Sequence, residues 1–384
     1  MRKIFLAASL LISAFFAAVL GIQSPSRVAA DTPWWDTLWG YRVAVTVDAA
    51  GYDRVDKVAE VDINFTDLLN ELGDSGKFDP KSIRVVEVDG GSVIDDLVPF
   101  QFDQASTYNA NSNAAGTLII LLNGETAAAA TRQYHIYFDV AGDSFTPPGV
   151  PELISVKTIT DNFGFETFRL TGANSTYYFH KTGGGFASLF DVDENDWIGW
   201  STAAGAAGDF RGIPNMIHPS NGGFFHPGRT NVDSSVVRSG PLRVTIRSTS
   251  LDGNWATQWD VFPGYARMTV QKVMSDIAYY LIYEGTPGGA LDLTTDLVTK
   301  SDGTTAAANV SWTGDIPGDE WVYFTDPSLD RSLFVIHHQQ DEIVDSYTTD
   351  AGGKMTILGF GRAGNGRFLT GLPTEMTFGL VDES

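Results

Sequence analysis

Between residues 208 and 230 the chain sets His218 and His226, Arg211 and Arg229, and Asn215 in a stretch too rich in glycine and proline for regular structure. Imidazoles exchange protons near neutrality, and guanidinium groups grip carboxylates and sulfates through paired hydrogen bonds. Loops carried on rigid sheets concentrate such groups. His226 and His218 are therefore expected as catalytic residues, and Arg211, Arg229 and Asn215 as substrate ligands. The competing reading is an ordered loop whose histidines cap backbone groups; their eight-residue spacing matches no zinc signature.

A second candidate lies at residues 279–289, where a strand-like run ends in Glu284 at a glycine-rich turn. Glu284 is expected to act as general acid or base, with Tyr283 and Tyr280 stacking on a sugar or donating a proton. The alternative is a packed strand with a surface acid. A glycosidase would need a second carboxylate, and Asp260 is the partner to nominate. Trp255 and Trp259 offer flat indole faces that suit sugar rings, although core packing is the commoner fate of tryptophan. Asp191, Asp193 and Asn195 place oxygen ligands at alternate positions, the opening of a calcium loop, but Asp196 stands where that loop needs glycine. Calcium is the cofactor this pattern admits, against a plain polar turn. His337 and His338, followed by Asp341 and Glu342, also carry metal-ligating types; strand alternation sends the two histidines to opposite faces, so at most one joins any site.

The elements that must hold these residues are strands. Helical periodicity is confined to residues 65–72, ended by Gly73. Runs of β-branched, aromatic and aliphatic residues at 41–47, 83–88, 117–122 and 134–140 predict a first antiparallel sandwich. After three prolines within residues 147–151, a linker signal, further runs at 168–170, 175–180, 242–250, 267–273, 279–284, 320–324, 332–337 and 355–360 predict a larger antiparallel β-domain. The fold expected is all-β: a small sandwich at 31–146, a linker at 147–151 and a large sandwich at 152–384.

Arg2 and Lys3, an uncharged apolar run over 4–22 and Val28, Ala29 and Ala30 have the layout of a cleaved export signal, residues 1–30. The expected location is secreted, with no membrane association after cleavage. The chain has net charge −22, and losing Arg2, Lys3 and Arg27 with the leader makes it −25. Such acidity excludes nucleic acid and anionic lipid as partners, because both require basic patches. Without a cysteine, stability must come from burial, and thiol chemistry is excluded.

The phrases at 184–191, 195–197, 211–215, 225–228, 283–289 and 359–362 resemble secreted bacterial proteins of two β-sandwich domains, and those at 98–103 and 132–139 resemble the leading sandwich of exported proteins linked to polysaccharide use. The outline is similar to galactose-mutarotase-like supersandwiches. That resemblance implies His, Tyr, Arg and Glu on a sheet serving lyases, hydrolases or epimerases, with a polysaccharide or oligosaccharide as partner. The function expected is a glycan-degrading lyase or hydrolase; the alternatives are a non-catalytic carbohydrate-binding or cell-surface module and an acidic matrix protein.

Overall fold

The computed structural model describes residues 34–142, 144–203, 207–216 and 225–382, together with the backbone of Ile4–Leu6 and Val19–Gly21. Arg2, Lys3, the 28–30 cleavage motif and His218 lie outside the described residues. Ile4–Leu6 and Val19–Gly21 both pair with Tyr41–Asp48. The chain divides into two units, residues 1–152 and 153–384, and its architecture is all-β with antiparallel sheets, as expected.

In the first unit, alternation along Tyr41–Asp48 sends Val43, Val45 and Val47 inward. This strand pairs with Thr131–Phe138, which pairs with Arg84–Asp89 and through it with Ser92–Asp95. The opposing sheet is Arg54–Asn64, Ala115–Thr126 and Phe100–Gln104. It sends Ala59, Val61, Ile63, Leu118, Ile120 and Leu122 into the same core. The helix Phe65–Glu71 starts where the Asn64 side chain accepts a bond from the Thr66 N–H (3.1 Å), and it buries Phe65, Leu68 and Leu69. Gly73 follows at φ +80°, a conformation glycine adopts without strain. Phe145 and Val150 of the proline-rich stretch pack on this unit, Phe145 against Trp39 at 5.2 Å.

The second unit is a sandwich of unequal layers. Nine antiparallel strands run in the order Val232–Ser239, Val244–Ser250, Ala256–Val261, Tyr265–Lys272, Thr374–Asp382, Arg331–His337, Glu320–Thr325, Leu297–Lys300 and Thr305–Ala307. Two four-stranded sheets complete the sandwich, Ser155–Thr160, Glu166–Thr171, Ser175–His180 and Gly185–Asp191 in one, and Leu281–Gly285, Thr356–Phe360, Asp345–Thr349 and Trp312–Gly314 in the other, and Arg362–Ala363 pairs with Gly366–Arg367 as a short two-stranded sheet. All three sandwich sheets contribute to one core. Phe186 of the first small sheet meets Trp259 at 4.8 Å, and Tyr283 of the second meets Phe324 at 5.1 Å, both partners belonging to the large sheet. Among the described residues no helix is long and apolar enough to cross a membrane.

Because each unit draws its core from its own strands, a fragment of residues 153–384 is expected to fold alone. The check is cooperative thermal unfolding of that fragment; a fragment that is soluble but melts without a transition would show that the core is incomplete.

Candidate active site

The strand Leu281–Gly285 is buried along its whole length. One edge pairs with Thr356–Phe360, setting Ile282 opposite Gly359 and Glu284 opposite Ile357. Residues 212–216 take the other edge: Gly212 and Glu284 exchange backbone bonds of 2.7 and 3.0 Å, and the Ile282 and Tyr280 N–H groups donate to Pro214 and Met216 carbonyls at 2.8 and 3.2 Å. Alternation turns Leu281 and Tyr283 into the core, leaving Tyr280, Ile282 and Glu284 on the opposite face.

This arrangement brings the glycine-rich segment to the carboxylate. Asn215, at φ +35° and 1% exposed, donates from Nδ2 to Glu284 Oε2 at 2.6 Å, while its own Oδ1 is buried with no partner. Arg362 lies across the neighbouring strand: a Cβ on Gly359 would stand 2.5 Å from Arg362 Cδ, so glycine leaves the room the arginine occupies. Burial pushes the Glu284 carboxyl up to about 7, against the opposing pulls of the Asn215 bond and the Arg362 charge. The Tyr280 hydroxyl is pushed up to about 12 by burial and by Glu284, with Arg362 and Arg367 pulling it down. A carboxyl half-protonated at neutral pH gives or takes a proton with little driving-force penalty, and the arginines give the face a complement for an anion.

Several expected residues have other duties. His226 is fully buried, with Nδ1 2.7 Å from the Pro227 carbonyl and Nε2 3.1 Å from the Phe210 carbonyl. Its two nitrogens tie the segment together and present none to a substrate, which corrects its catalytic assignment. Arg211 donates to the Gly199 and Lys354 carbonyls at 2.8 and 3.0 Å, so its fork is spent on backbone. Arg229 is held through its backbone, its N–H on the His226 carbonyl and its own carbonyl on Thr182, and it is not among the groups acting on Glu284. Tyr283 is a core residue whose hydroxyl donates to the Trp197 carbonyl at 2.6 Å; burial raises it far above the usual phenol range. Trp255 and Trp259, 1% and 0% exposed, show no ring face to a sugar.

Asp260 does not pair with Glu284 either. It sits on the large sheet with Thr245 (2.6 Å), Gln258 (3.1 Å), Arg243 (3.8 Å) and Arg267 (3.7 Å). At the supposed calcium loop, Asp191 accepts from the Asp193 and Asn195 N–H groups at 2.9 Å each, and from Asn195 Nδ2 and Trp197 Nε1 at 3.0 Å each. Arg331 supplies the positive charge, 3.4 Å from Asp191 and 3.5 Å from Asp193. Although burial works against the charge, these bonds outweigh it and hold the Asp191 carboxyl below its ordinary range. With its oxygens already taken by donors, this is a closed turn rather than a calcium cage. The sequence reading gave no site role to Arg362; the glycine at 359 beside a long cation was the signal for it.

No protein-family model matches the chain, and no curated protein is significantly similar to it. Among solved structures, the crystal structure of HI1317 is similar at a TM-score of 0.42 and 11% identity, covering 59% of this chain and 99% of that one. A protein in glycosyl hydrolase family 38 from Enterococcus faecalis is similar at a TM-score of 0.42 and 12% identity; the match covers 92% of this chain, which spans 46% of that protein.

Proposed function

We propose that this chain is an exported, polysaccharide-active enzyme in which Glu284 transfers a proton during cleavage of an anionic glycan. The observation that carries the reading is the Glu284 carboxyl, buried against Asn215, raised to about 7 and facing Arg362. Such a group is poised as acid and base at neutral pH. Elimination is favoured over hydrolysis because the groups acting on Glu284 are an amide and an arginine, not a second carboxylate. Arg362 neutralises a uronate carboxylate, which acidifies the neighbouring C–H; Glu284 removes that proton, the glycosidic C–O bond breaks as the double bond forms, and the departing oxygen takes the proton back from Glu284.

The test is to incubate the purified chain with a panel of acidic and neutral polysaccharides. New ends bearing the ultraviolet absorbance of an unsaturated uronate are expected; new reducing ends without that absorbance would assign hydrolysis, and neither product from any polysaccharide would leave the enzyme reading without support. Arg362→Ala is expected to impair acidic substrates far more than neutral ones and to move the titration of Glu284 to higher pH, since the arginine now draws it down. A pH–rate comparison of the two chains checks this.

A second reading has one observation in its favour. Trp34 and Trp35 are half-buried over Tyr137, both with ring centroids 5.5 Å from it, and Arg42 stands 4.7 Å above the Trp34 ring. Such a platform suits glycan binding by the first unit without catalysis.

A further inference from the structure

Away from Glu284, the second unit gathers five ligand-type side chains. Glu320 and His337 are cross-strand partners on the large sheet, and both lie on the strand faces that carry the core residues Val322 and Val335. Asp345 comes from the second small sheet, on the same face as the core residue Tyr347. Asp341 and Asp315 come from the adjoining connections. The ligating atoms of Glu320, His337 and Asp341 lie within 4.8 Å of one another, as do those of Asp315, Glu320 and Asp345.

Three of these groups are almost wholly inside: Glu320 and Asp345 are 1% exposed and His337 is 2% exposed. Asp345 accepts from the Ile316 and Gly361 N–H groups at 3.1 and 3.0 Å, and Glu320 accepts from the Asp341 N–H at 3.0 Å. Glu320 also meets His337 Nδ1, while His337 Nε2 is buried with no partner. Among the described residues no lysine or arginine forms an ion pair with any of the five. Burying carboxylates is costly unless they are paired or coordinated, and an imidazole beside them is a ready metal ligand.

We infer that Glu320, His337, Asp341 and Asp345, with Asp315 at the rim, bind one divalent cation of the zinc or manganese class. Imidazole among carboxylates selects that class, whereas calcium takes oxygen ligands alone. The Gly361 N–H held by Asp345 immediately precedes Arg362, so the cation would also steady the turn that carries the arginine to Glu284.

The purified full chain, stripped with a chelator, is titrated with zinc, manganese and calcium by calorimetry and by thermal melting. One equivalent of zinc or manganese is expected to bind and, at ~100-fold excess over its dissociation constant, to raise the melting temperature by about 5 °C or more. Glu320→Gln/Asp345→Asn should abolish binding while melting close to the stripped natural chain, because each amide keeps an oxygen for the N–H groups its carboxyl accepts from. If that double variant does not fold, Asp341→Asn at the half-exposed rim must still weaken binding at least ~10-fold. The proposal is overturned if none of the three metals gives a saturable signal, if calcium alone binds, or if the variants bind as the natural chain does.

Discussion

A Glu284→Gln chain is expected to be more stable than the natural chain at pH 8 and to slow the proposed glycan cleavage roughly 10²–10⁴-fold. The stability half follows from linkage. The carboxyl titrates at about 7 in the folded protein and near its ordinary 4.5 when unfolded. Between those values the folded state holds a proton the unfolded state has released, so rising pH destabilises the natural chain across that window, by on the order of 3 kcal/mol in all. Glutamine keeps an oxygen for the Asn215 N–H and has no charge to bury. The two chains should therefore have equal stability below pH 4.5, diverge from there to about pH 7 and run parallel above it. Denaturant melts at a series of pH values measure the difference, in which every other titrating group cancels. A variant that gains stability while losing turnover has the signature of a residue kept for chemistry; parallel curves across the whole range would show that Glu284 ionises normally.

Trp259→Ala is expected to cost about 3–5 kcal/mol of stability. The indole is fully buried and lies edge-on to Phe186 at 4.8 Å and Phe378 at 5.6 Å, so its removal opens a cavity between the large sheet and the first small sheet. Chemical denaturation should show a lowered midpoint. Loss of glycan binding with an unchanged midpoint would instead place the ring at a ligand, contrary to its position in the core.

Alternation and turn residues made most of the fold legible. The runs at 41–47 and 134–140 correspond to Tyr41–Asp48 and Thr131–Phe138, and the helix expected at 65–72 to Phe65–Glu71. Arg54–Asn64 escaped notice because Arg54, Asp56, Lys57, Glu60 and Asp62 interrupt the apolar signal, and only the inward Ala59, Val61 and Ile63 mark it as a strand. The same alternation correctly separates two neighbouring histidines: His337 turns to Glu320 and His338 to Thr377.

Sites were harder to read because they depend on register between distant segments. Glu284 stood out at a strand end, but nothing local says that Asn215, 69 residues away, will reach it. Histidines and tryptophans misled for a physical reason: the groups that make them useful to a substrate also let them hold carbonyls and fill cores. His226 and Trp259 did the second job. Glu320, His337 and Asp345 belong to three strands of two different sheets, and their meeting is set by the packing of the sandwich rather than by spacing.

The most direct measurement is the titration of the Glu284 carboxyl itself. Carbon-13 spectra of chains labelled at glutamate carboxyls, recorded from pH 4 to 9 for the natural and Glu284→Gln proteins, identify its resonance by difference. The arrangement of Asn215, Arg362 and the buried strand predicts a midpoint of about 7; a midpoint near the ordinary 4.5 would contradict the assignment of Glu284 as the proton-transferring group.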